Sequence, residues 1–381
     1  MTNTATPALL SPTSGRPLHP DTPHSLADGA GERWPVVDGI PFLRAGREAL
    51  AAAALARLDA GDPDGALTLL LADQDDWWTG PVAAPDAIRR LLAGRATLSL
   101  REAMALLSWG RVGDYFAHRW SDPTFMAGLS LAAAHWCAPR TGFELACGIG
   151  HHLRALAQRG VRVSGADVVF GKLWIARHFV CPDAELLCFD AASPWPLPPD
   201  RRFDLVCCHD AFYFLEPKAE ILQRLRALAA DGTLLVGHVH NRDWPNLSAG
   251  AAIDADTLGA LFPDGTFYDD HELTRAAAEL RAPVPAPLAA LREVEAFAVA
   301  AGRPGAPRFE LTLPPVDAAL RRNPLYGDDG ALAWPSERYR IEYSPRATYP
   351  ARTDVPAAAC LDAATRPAAA ARELVDLPER W

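Results

Sequence analysis

Short apolar runs alternate with helical patterns through the middle of the chain. Five runs predict strands, at residues 143–147, 161–167, 185–189, 203–208 and 233–240. Between the runs, apolar residues recur at the three- and four-residue spacing of an amphipathic helix. Strands that alternate with helices predict a parallel sheet with helices on both faces. We therefore expect an α/β fold with a doubly wound, mostly parallel sheet.

The pattern changes after the fifth run. Residues 270–280 predict a helix, and two alternating stretches, 293–299 and 308–313, predict an antiparallel hairpin that would complete a seven-stranded sheet. Beyond residue 314 the chain is rich in proline, with one strand-like segment at 339–343 and a short helix near 368–374. We interpret residues 314–381 as a C-terminal extension of the sheet domain.

Helical patterns precede the sheet. Residues 45–71 predict a helical hairpin, and Ser99 with Glu102 has the spacing of a capping box at a helix start. The aromatic and basic cluster at 115–120 is too polar for a pure core and is expected to line the mouth of a pocket. We divide the chain into a small N-terminal module at 1–46, a helical region at 47–124, the sheet domain at 125–313 and the extension.

Composition describes a folded protein with an acidic balance. Hydrophobic residues make up 49% of the 381 residues, and the net charge is −10. An acidic chain lacks the general electrostatic attraction that nucleic acid binding needs, so we do not expect nucleic acid as a partner. Neither a membrane-spanning run nor a signal peptide is visible, which predicts a cytoplasmic protein with no membrane partner. The seven cysteines are expected to be reduced, and self-association stays open.

A glycine turn follows the first strand. Gly148 and Gly150 allow a sharp turn and the close approach of a ligand, as in nucleotide-binding folds. The dinucleotide fingerprint needs a third glycine where this chain has Leu153, and no phosphate-binding Gly-Lys-Ser/Thr sequence follows. The turn therefore suits a ligand without a pyrophosphate. Asp167 and Asp190 end the next two strands and are placed to bind a ribose and an adenine.

These features resemble the core of the class I S-adenosylmethionine-dependent methyltransferases, which have a Rossmann-like fold. The resemblance covers residues 143–240. The first motif of the family matches Glu144 to Gly150, its ribose-binding acid matches Asp167, and its adenine-side motif matches Asp190 and Ala191. The resemblance implies S-adenosylmethionine as cofactor, bound by Glu144, Ala146, Cys147, Gly148, Gly150, Asp167, Val168, Asp190, Ala191 and His209. Many members have a histidine where this chain has Phe214, so the family assigns no catalytic residue here.

A second resemblance concerns residues 1–46. The segments at 10–18 and 34–41 are similar to a small zinc-ribbon-like module that activates tRNA and protein methyltransferases. Zinc-binding members have a cysteine where this chain has Ser11, and Cys137 is the first cysteine here. We therefore expect the module to contain no zinc.

Candidate catalytic residues follow the fourth and fifth strands. Methyl transfer from a sulfonium is an in-line displacement, so a base is needed only if the nucleophile starts protonated. His209 and His240 are the candidate bases, and Asp210 and Tyr213 complete the candidate set. A hydrogen-bonded structural role is an equal alternative for each histidine.

The adjacent His151 and His152 point in different directions on a helix, so we expect them to contact cofactor or solvent. No metal site is predicted. The chain is thus expected to methylate oxygen or nitrogen of a small molecule. A protein or RNA substrate and a non-catalytic cofactor-binding scaffold are the alternatives.

Overall fold

The computed structural model describes residues 9–245 and 250–381. The chain begins with a four-stranded antiparallel sheet, so the predicted module 1–46 is described from residue 9 onward. Its strands are β1 (His19–Thr22), β2 (Ser25–Ala27), β3 (Arg33–Val37) and β4 (Ile40–Pro41). Leu43 donates its backbone N–H to the carbonyl of Cys188 at 2.7 Å. The module is thereby joined to the edge of the main sheet.

Side-chain hydrogen bonds stabilise the loop at the start of this module. Ser11 donates to Glu32 at 2.6 Å, Thr13 also donates to Glu32, and Ser14 donates to Asp28 at 3.2 Å. Ser11 stands where zinc-binding relatives of the predicted module have a cysteine. The resemblance to a zinc ribbon and the expected absence of zinc stay predictions, and these hydrogen bonds cross-link the loop.

Six helices follow the module. Their bounds are α1 (Glu48–Asp59), α2 (Pro63–Ala72), α3 (Pro85–Gly94), α4 (Leu100–Leu106), α5 (Arg111–His118) and α6 (Pro123–Ala134). The predicted hairpin is confirmed by α1 and α2. The capping box is also confirmed, since Ser99 accepts from the backbone of Glu102 and the Glu102 side chain accepts from the backbone of Ser99.

The main sheet has seven strands in the order β10-β11-β9-β8-β5-β6-β7. Their bounds are β5 (Thr141–Leu145), β6 (Arg162–Asp167), β7 (Glu185–Cys188), β8 (Leu205–His209), β9 (Thr233–His240), β10 (Thr266–Asp269) and β11 (Ala296–Gly302). Five strands are parallel, and β10 and β11 are antiparallel to their neighbours. The strand order reverses between β5 and β8, where ligands bind in folds of this type. The predicted fold class is confirmed.

The connecting helices are α7 (His151–Ala157), α8 (Phe170–Ile175), α9 (Lys218–Leu228), α10 (Ala255–Leu261) and α11 (Asp270–Ala278). Within the described part of the chain, no helix is long and apolar enough to cross a membrane.

The predicted edge hairpin is wrong. Residues 308–313 contain a 3-10 helix, Phe309–Thr312, and the edge strand is β10, which precedes α11. The backbone of Ala306 and Arg308 donates to carbonyls of Trp136 and Ala133, at the end of α6. The segment after β11 is therefore held by α6 and cannot return along the sheet.

The strand predicted at 339–343 is also wrong, because this segment is helix α12 (Glu337–Tyr343). Ser336 caps it by accepting from the backbone of Tyr339 at 3.1 Å. The predicted helix near 368–374 is shorter and earlier, as α13 (Arg366–Ala370). A three-stranded antiparallel sheet accompanies it, with β12 (Ala319–Arg322), β13 (Ala358–Cys360) and β14 (Leu374–Val375).

Candidate active site

A cavity of about 650 Å³ opens at the carboxyl ends of β5, β6 and β8. This volume lies in the range of sites for small ligands. One side is formed by the glycine turn and the strand ends, and the opposite side by α5, the loop after β8 and α12. The residues of that opposite side include Arg111, Tyr115, Phe116, Arg119, Tyr213, Phe214, Ser336, Arg338, Tyr339, Glu342 and Tyr343.

The glycine turn lies on the cavity wall. Gly148 has φ +55°, and a Cβ atom there would lie 3.1 Å from Cε1 of Phe116. A side chain at this position would therefore crowd the cavity as well as strain the backbone. Gly150, with φ +86°, precedes α7 and does not line the cavity. Of the two glycines, Gly148 provides the close approach and Gly150 the turn into the helix.

Asp167 connects the end of β6 to this turn. Its Oδ2 accepts from the backbone N–H of Gly148 and its Oδ1 from that of Val169, both at 3.0 Å. Lys172 Nζ lies 3.5 Å from Oδ1. The carboxylate is 5% exposed and lines the cavity, so it holds the turn and faces any ligand there.

The other predicted cofactor residues, apart from Gly150, also lie on the cavity wall. They are Glu144, Ala146, Cys147, Gly148, Val168, Asp190, Ala191 and His209. The side chain of Asp190 accepts from the backbone of Ala192 at 2.9 Å, which fixes the turn after β7. Contact of these residues with a cofactor stays a prediction.

Asp210 is the centre of the opposite wall. It accepts from the hydroxyl of Tyr115 at 2.7 Å, from Arg119 at 2.9 Å and from the hydroxyl of Tyr213 at 2.9 Å. Burial alone would raise the pKa of Asp210, but Arg119, His238 and these hydrogen bonds outweigh burial and hold the pKa well below its usual value. Asp210 is thus a carboxylate on the cavity wall. The prediction that residues 115–120 line the pocket is confirmed for Tyr115, Phe116 and Arg119.

His238 and His240 lie away from the cavity wall. His238 Nδ1 is 2.9 Å from Asp270, which also accepts from Arg346 at 2.8 Å. The ring of His240 packs against that of Tyr213 with centroids 4.5 Å apart. The structure therefore brings His209, Asp210 and Tyr213 to the cavity, and it places His240 beside Tyr213 and off the wall.

A second cluster of buried groups was not predicted. His152 Nδ1 lies 3.1 Å from Glu144, and the rings of His152 and His209 are 4.3 Å apart. Burial raises the pKa of Glu144 to about 7 and lowers the pKa of both His152 and His209 to about 3. Both imidazoles are therefore neutral near pH 7. Both His151 and His152 are buried and line the cavity, and His151 pairs with the carbonyl of Phe116 at 3.0 Å, so their contact with cofactor or solvent stays a prediction.

The cluster of Glu144, His152 and His209 packs against two glycines, whose lack of a side chain leaves space for the imidazole rings. These glycines are the feature of the sequence from which the cluster could have been predicted. A Cβ on Gly128, within α6, would lie 2.4 Å from His152 Nε2, and a Cβ on Gly237, within β9, would lie 2.5 Å from His209 Nδ1. Glycine inside a helix or strand often marks close approach of another group. The lining residues of α12 were missed because that segment was predicted to be a strand.

Comparison with known families gives a match for the part of the chain that contains most of the main sheet. Residues 118–280 match a family model described as "Methyltransferase domain". The match confirms the enzyme class predicted from the sequence, a methyltransferase, for this segment. S-adenosylmethionine stays the expected methyl donor. A comparison with curated protein sequences gives no match.

Solved structures similar to this chain include methyltransferases that differ from one another in substrate. The 1,6-didemethyltoxoflavin-N1-methyltransferase of Burkholderia thailandensis is 18% identical over 61% of this chain and 98% of its own, with a TM-score of 0.37. Phosphoethanolamine N-methyltransferase 2 of Haemonchus contortus is 16% identical over 55% of this chain and 60% of its own, with a TM-score of 0.38. The plantazolicin methyltransferase BpumL is 12% identical over 56% of this chain and 99% of its own, with a TM-score of 0.38.

Proposed function

We propose that the enzyme transfers the methyl group of S-adenosylmethionine to an oxygen or nitrogen atom of a small molecule. The observation that carries this proposal is the continuity of the cavity from Gly148 and Asp167 to Tyr339 and Tyr343 of α12. In this proposal one cavity of about 650 Å³ holds the cofactor at one end and the acceptor at the other. An extended macromolecular substrate would need an open groove at that place.

The residues at the cofactor end fit the cofactor. Gly148 leaves space that a side chain would fill, and Asp167 presents a carboxylate for the two hydroxyls of a ribose. Bound S-adenosylmethionine supplies a sulfonium methyl group. The residues of this chain position the acceptor and exclude water around it.

Asp210 has the chemistry to orient the acceptor. As an anionic hydrogen-bond acceptor between Tyr115 and Tyr213, it can hold a hydroxyl or amine by its proton. His209 is neutral, directly precedes Asp210 in the chain and lines the same cavity, so it is the residue to accept that proton at an imidazole nitrogen. The low pKa of His209 makes it a weak base, and positioning therefore carries most of the rate enhancement in this proposal.

The test is methyl transfer into fractions of a cell extract from the source organism. Full-length protein is incubated with S-adenosylmethionine carrying a radioactive methyl group, and label is measured in the small-molecule, protein and nucleic acid fractions. We expect label in the small-molecule fraction, together with S-adenosylhomocysteine. Asp167→Ala is the control, because weaker binding of S-adenosylmethionine should lower labelling in every fraction.

Two other outcomes would overturn the proposal. Label confined to the protein fraction, or label that nuclease treatment removes, would assign a macromolecular substrate. Binding of S-adenosylmethionine without turnover on any fraction would assign a cofactor-binding scaffold.

A further inference from the structure

We propose that Asp210, His238 and His240 form a binding site for a divalent transition-metal ion such as Zn²⁺. One potential ligand atom from each residue lies within 4.8 Å of the other two. His238 and His240 are 4% and 3% exposed, so the cluster is buried. Among the residues that the structure describes, no other group of three such side chains comes together in this way.

The sheet brings the three residues to one place. His238 and His240 are two residues apart on β9, and their ring centroids are 4.8 Å apart. Asp210 directly follows β8, the parallel neighbour of β9. The register between β9 and β11 shifts opposite His238, which has φ +49°. Such a bulge re-aims a side chain, and here His238 is aimed between Asp210 and Asp270.

The imidazole ring of His238 is oriented by a carboxylate, as the rings of metal-binding histidines are. Its Nδ1 lies 2.9 Å from the carboxylate of Asp270, and Arg346 in turn donates to Asp270 at 2.8 Å. Its other nitrogen, Nε2, lies 3.9 Å from Oδ1 of Asp210. A carboxylate on one imidazole nitrogen fixes the ring and leaves the other nitrogen for the metal.

His240 provides the second, independent observation. Its Nδ1 is buried and has no hydrogen-bond partner among the described residues. A buried polar nitrogen without a partner costs free energy, which a metal–nitrogen bond would recover. A proton shared by His238 with Asp210 and Asp270 would explain the positions of those three side chains. It would leave His240 unexplained, and the metal ion explains all of them.

The geometry and donor set select the class of ion. With bonds of about 2.0–2.1 Å, two ligand atoms of a tetrahedral Zn²⁺ lie about 3.4 Å apart, so the ligand atoms of the cluster have to approach one another by up to about 1.4 Å. Two imidazoles and one carboxylate suit zinc, iron, nickel or copper better than magnesium or calcium. Oδ2 of Asp210 keeps Tyr115 and Arg119 as donors, and Oδ1, which accepts from the hydroxyl of Tyr213, faces His238.

The metal site would stabilise the cavity wall, because it shares Asp210 with that wall and its two histidines lie outside the cavity. Asp210 and Tyr213 line the cavity, whereas His238 and His240 do not. An ion bound to Asp210 would fix the carboxylate that faces the acceptor. His238 and His240 are therefore metal ligands in this proposal, and His240 is not the base that the sequence suggested.

The test is metal binding by the full-length protein, without a histidine tag. The protein is dialysed against a chelator, freed of the chelator, and titrated with Zn²⁺ by calorimetry and with Co²⁺ by visible absorption. We expect one ion per chain in both titrations. Asp270→Asn should weaken Zn²⁺ binding about 10–100-fold, as outer-shell substitutions do. His240→Ala should weaken it more and abolish the Co²⁺ absorption of the site.

His19→Ala is the matched control, since His19 is exposed on β1 and far from the cluster in the fold. It should bind as the wild type does. Where circular dichroism shows that His240→Ala does not fold, His240→Gln replaces it. The proposal is overturned if the wild type binds no stoichiometric ion, or if a folded His240 variant binds as tightly as the wild type.

Discussion

Asp167 shows at the scale of one residue how the proposed cofactor end of the cavity is built. Its two oxygens accept from the backbone of Gly148 and Val169, so the same carboxylate that faces the ligand also holds the turn. Hydrogen bonds to charged groups contribute about 1.5–3 kcal/mol each. We expect Asp167→Ala to weaken S-adenosylmethionine binding at least about tenfold, which corresponds to about 1.4 kcal/mol.

Isothermal titration calorimetry of the purified protein checks this expectation. Asp183→Ala is the matched control, because Asp183 is exposed in the turn before β7. Equal affinity of Asp167→Ala and the wild type would contradict the assignment of Asp167 to the ribose.

Single residues were predictable where the signal is local. The glycine turn and the carboxylate of Asp167 follow strands that the apolar pattern predicts, so their place at the sheet edge could be derived from the sequence. Asp210 was singled out, but its partner Tyr115 is 95 residues away, and no local pattern links the two. The pairing of Glu144 with His152 was missed because it depends on Gly128, a glycine in a different helix.

Helix α12 lines the part of the cavity that we propose holds the acceptor. Tyr339 is 5% exposed, and Arg340, its neighbour, is exposed to solvent on the other side of the helix. We expect Tyr339→Leu to widen the acceptor end and lower methyl transfer to the small-molecule fraction about tenfold or more, since misplacement by about 1 Å can cost a hundredfold. The affinity for S-adenosylmethionine should stay within about twofold of the wild type.

Initial rates at saturating S-adenosylmethionine measure the effect. Arg340→Leu introduces the same residue on the exposed face and should leave the rate unchanged. A normal rate in Tyr339→Leu would show that α12 does not position the acceptor.

Short elements were the least predictable part of the fold. In α12 the residues Tyr339, Ile341 and Tyr343 alternate as in a strand, yet Tyr339 and Tyr343 are buried together and Ile341 is 51% exposed. A seven-residue segment fits both periodicities, and tertiary contacts decide between them. The long parallel strands, in contrast, were predicted because they are buried on both faces and read as apolar runs.

The whole molecule contains several buried neutral histidines, which make its stability sensitive to acid. Burial lowers the pKa of His118 from its usual 6.5 to about 4. As the pH falls below 6.5 the unfolded chain takes up this proton first, so the folded state loses stability until the pH reaches about 4. For His118 alone, the loss between pH 7 and pH 5 amounts to about 2 kcal/mol.

Urea unfolding at pH 7 and pH 5 tests this reasoning. His118→Phe fills the same space between Tyr339 and Trp381, and it should reduce the loss of unfolding free energy by about 2 kcal/mol. His19→Phe, at an exposed position, should lose as much stability as the wild type. An unchanged loss in His118→Phe would mean that His118 does not stay neutral in the fold.

The wall contributed by α12 also has a consequence for synthesis on the ribosome. Tyr339 contacts the carbonyl of His118, which lies 221 residues earlier in the chain. Chains fold from the N-terminus as they emerge, at about 5–20 residues per second. The seven strands of the main sheet end at Gly302, so a nascent chain can complete its cofactor end before α12 has been made. We expect the nascent chain to bind the methyl donor first. It should become able to transfer the methyl group only after α12 has been translated and has packed against the cavity.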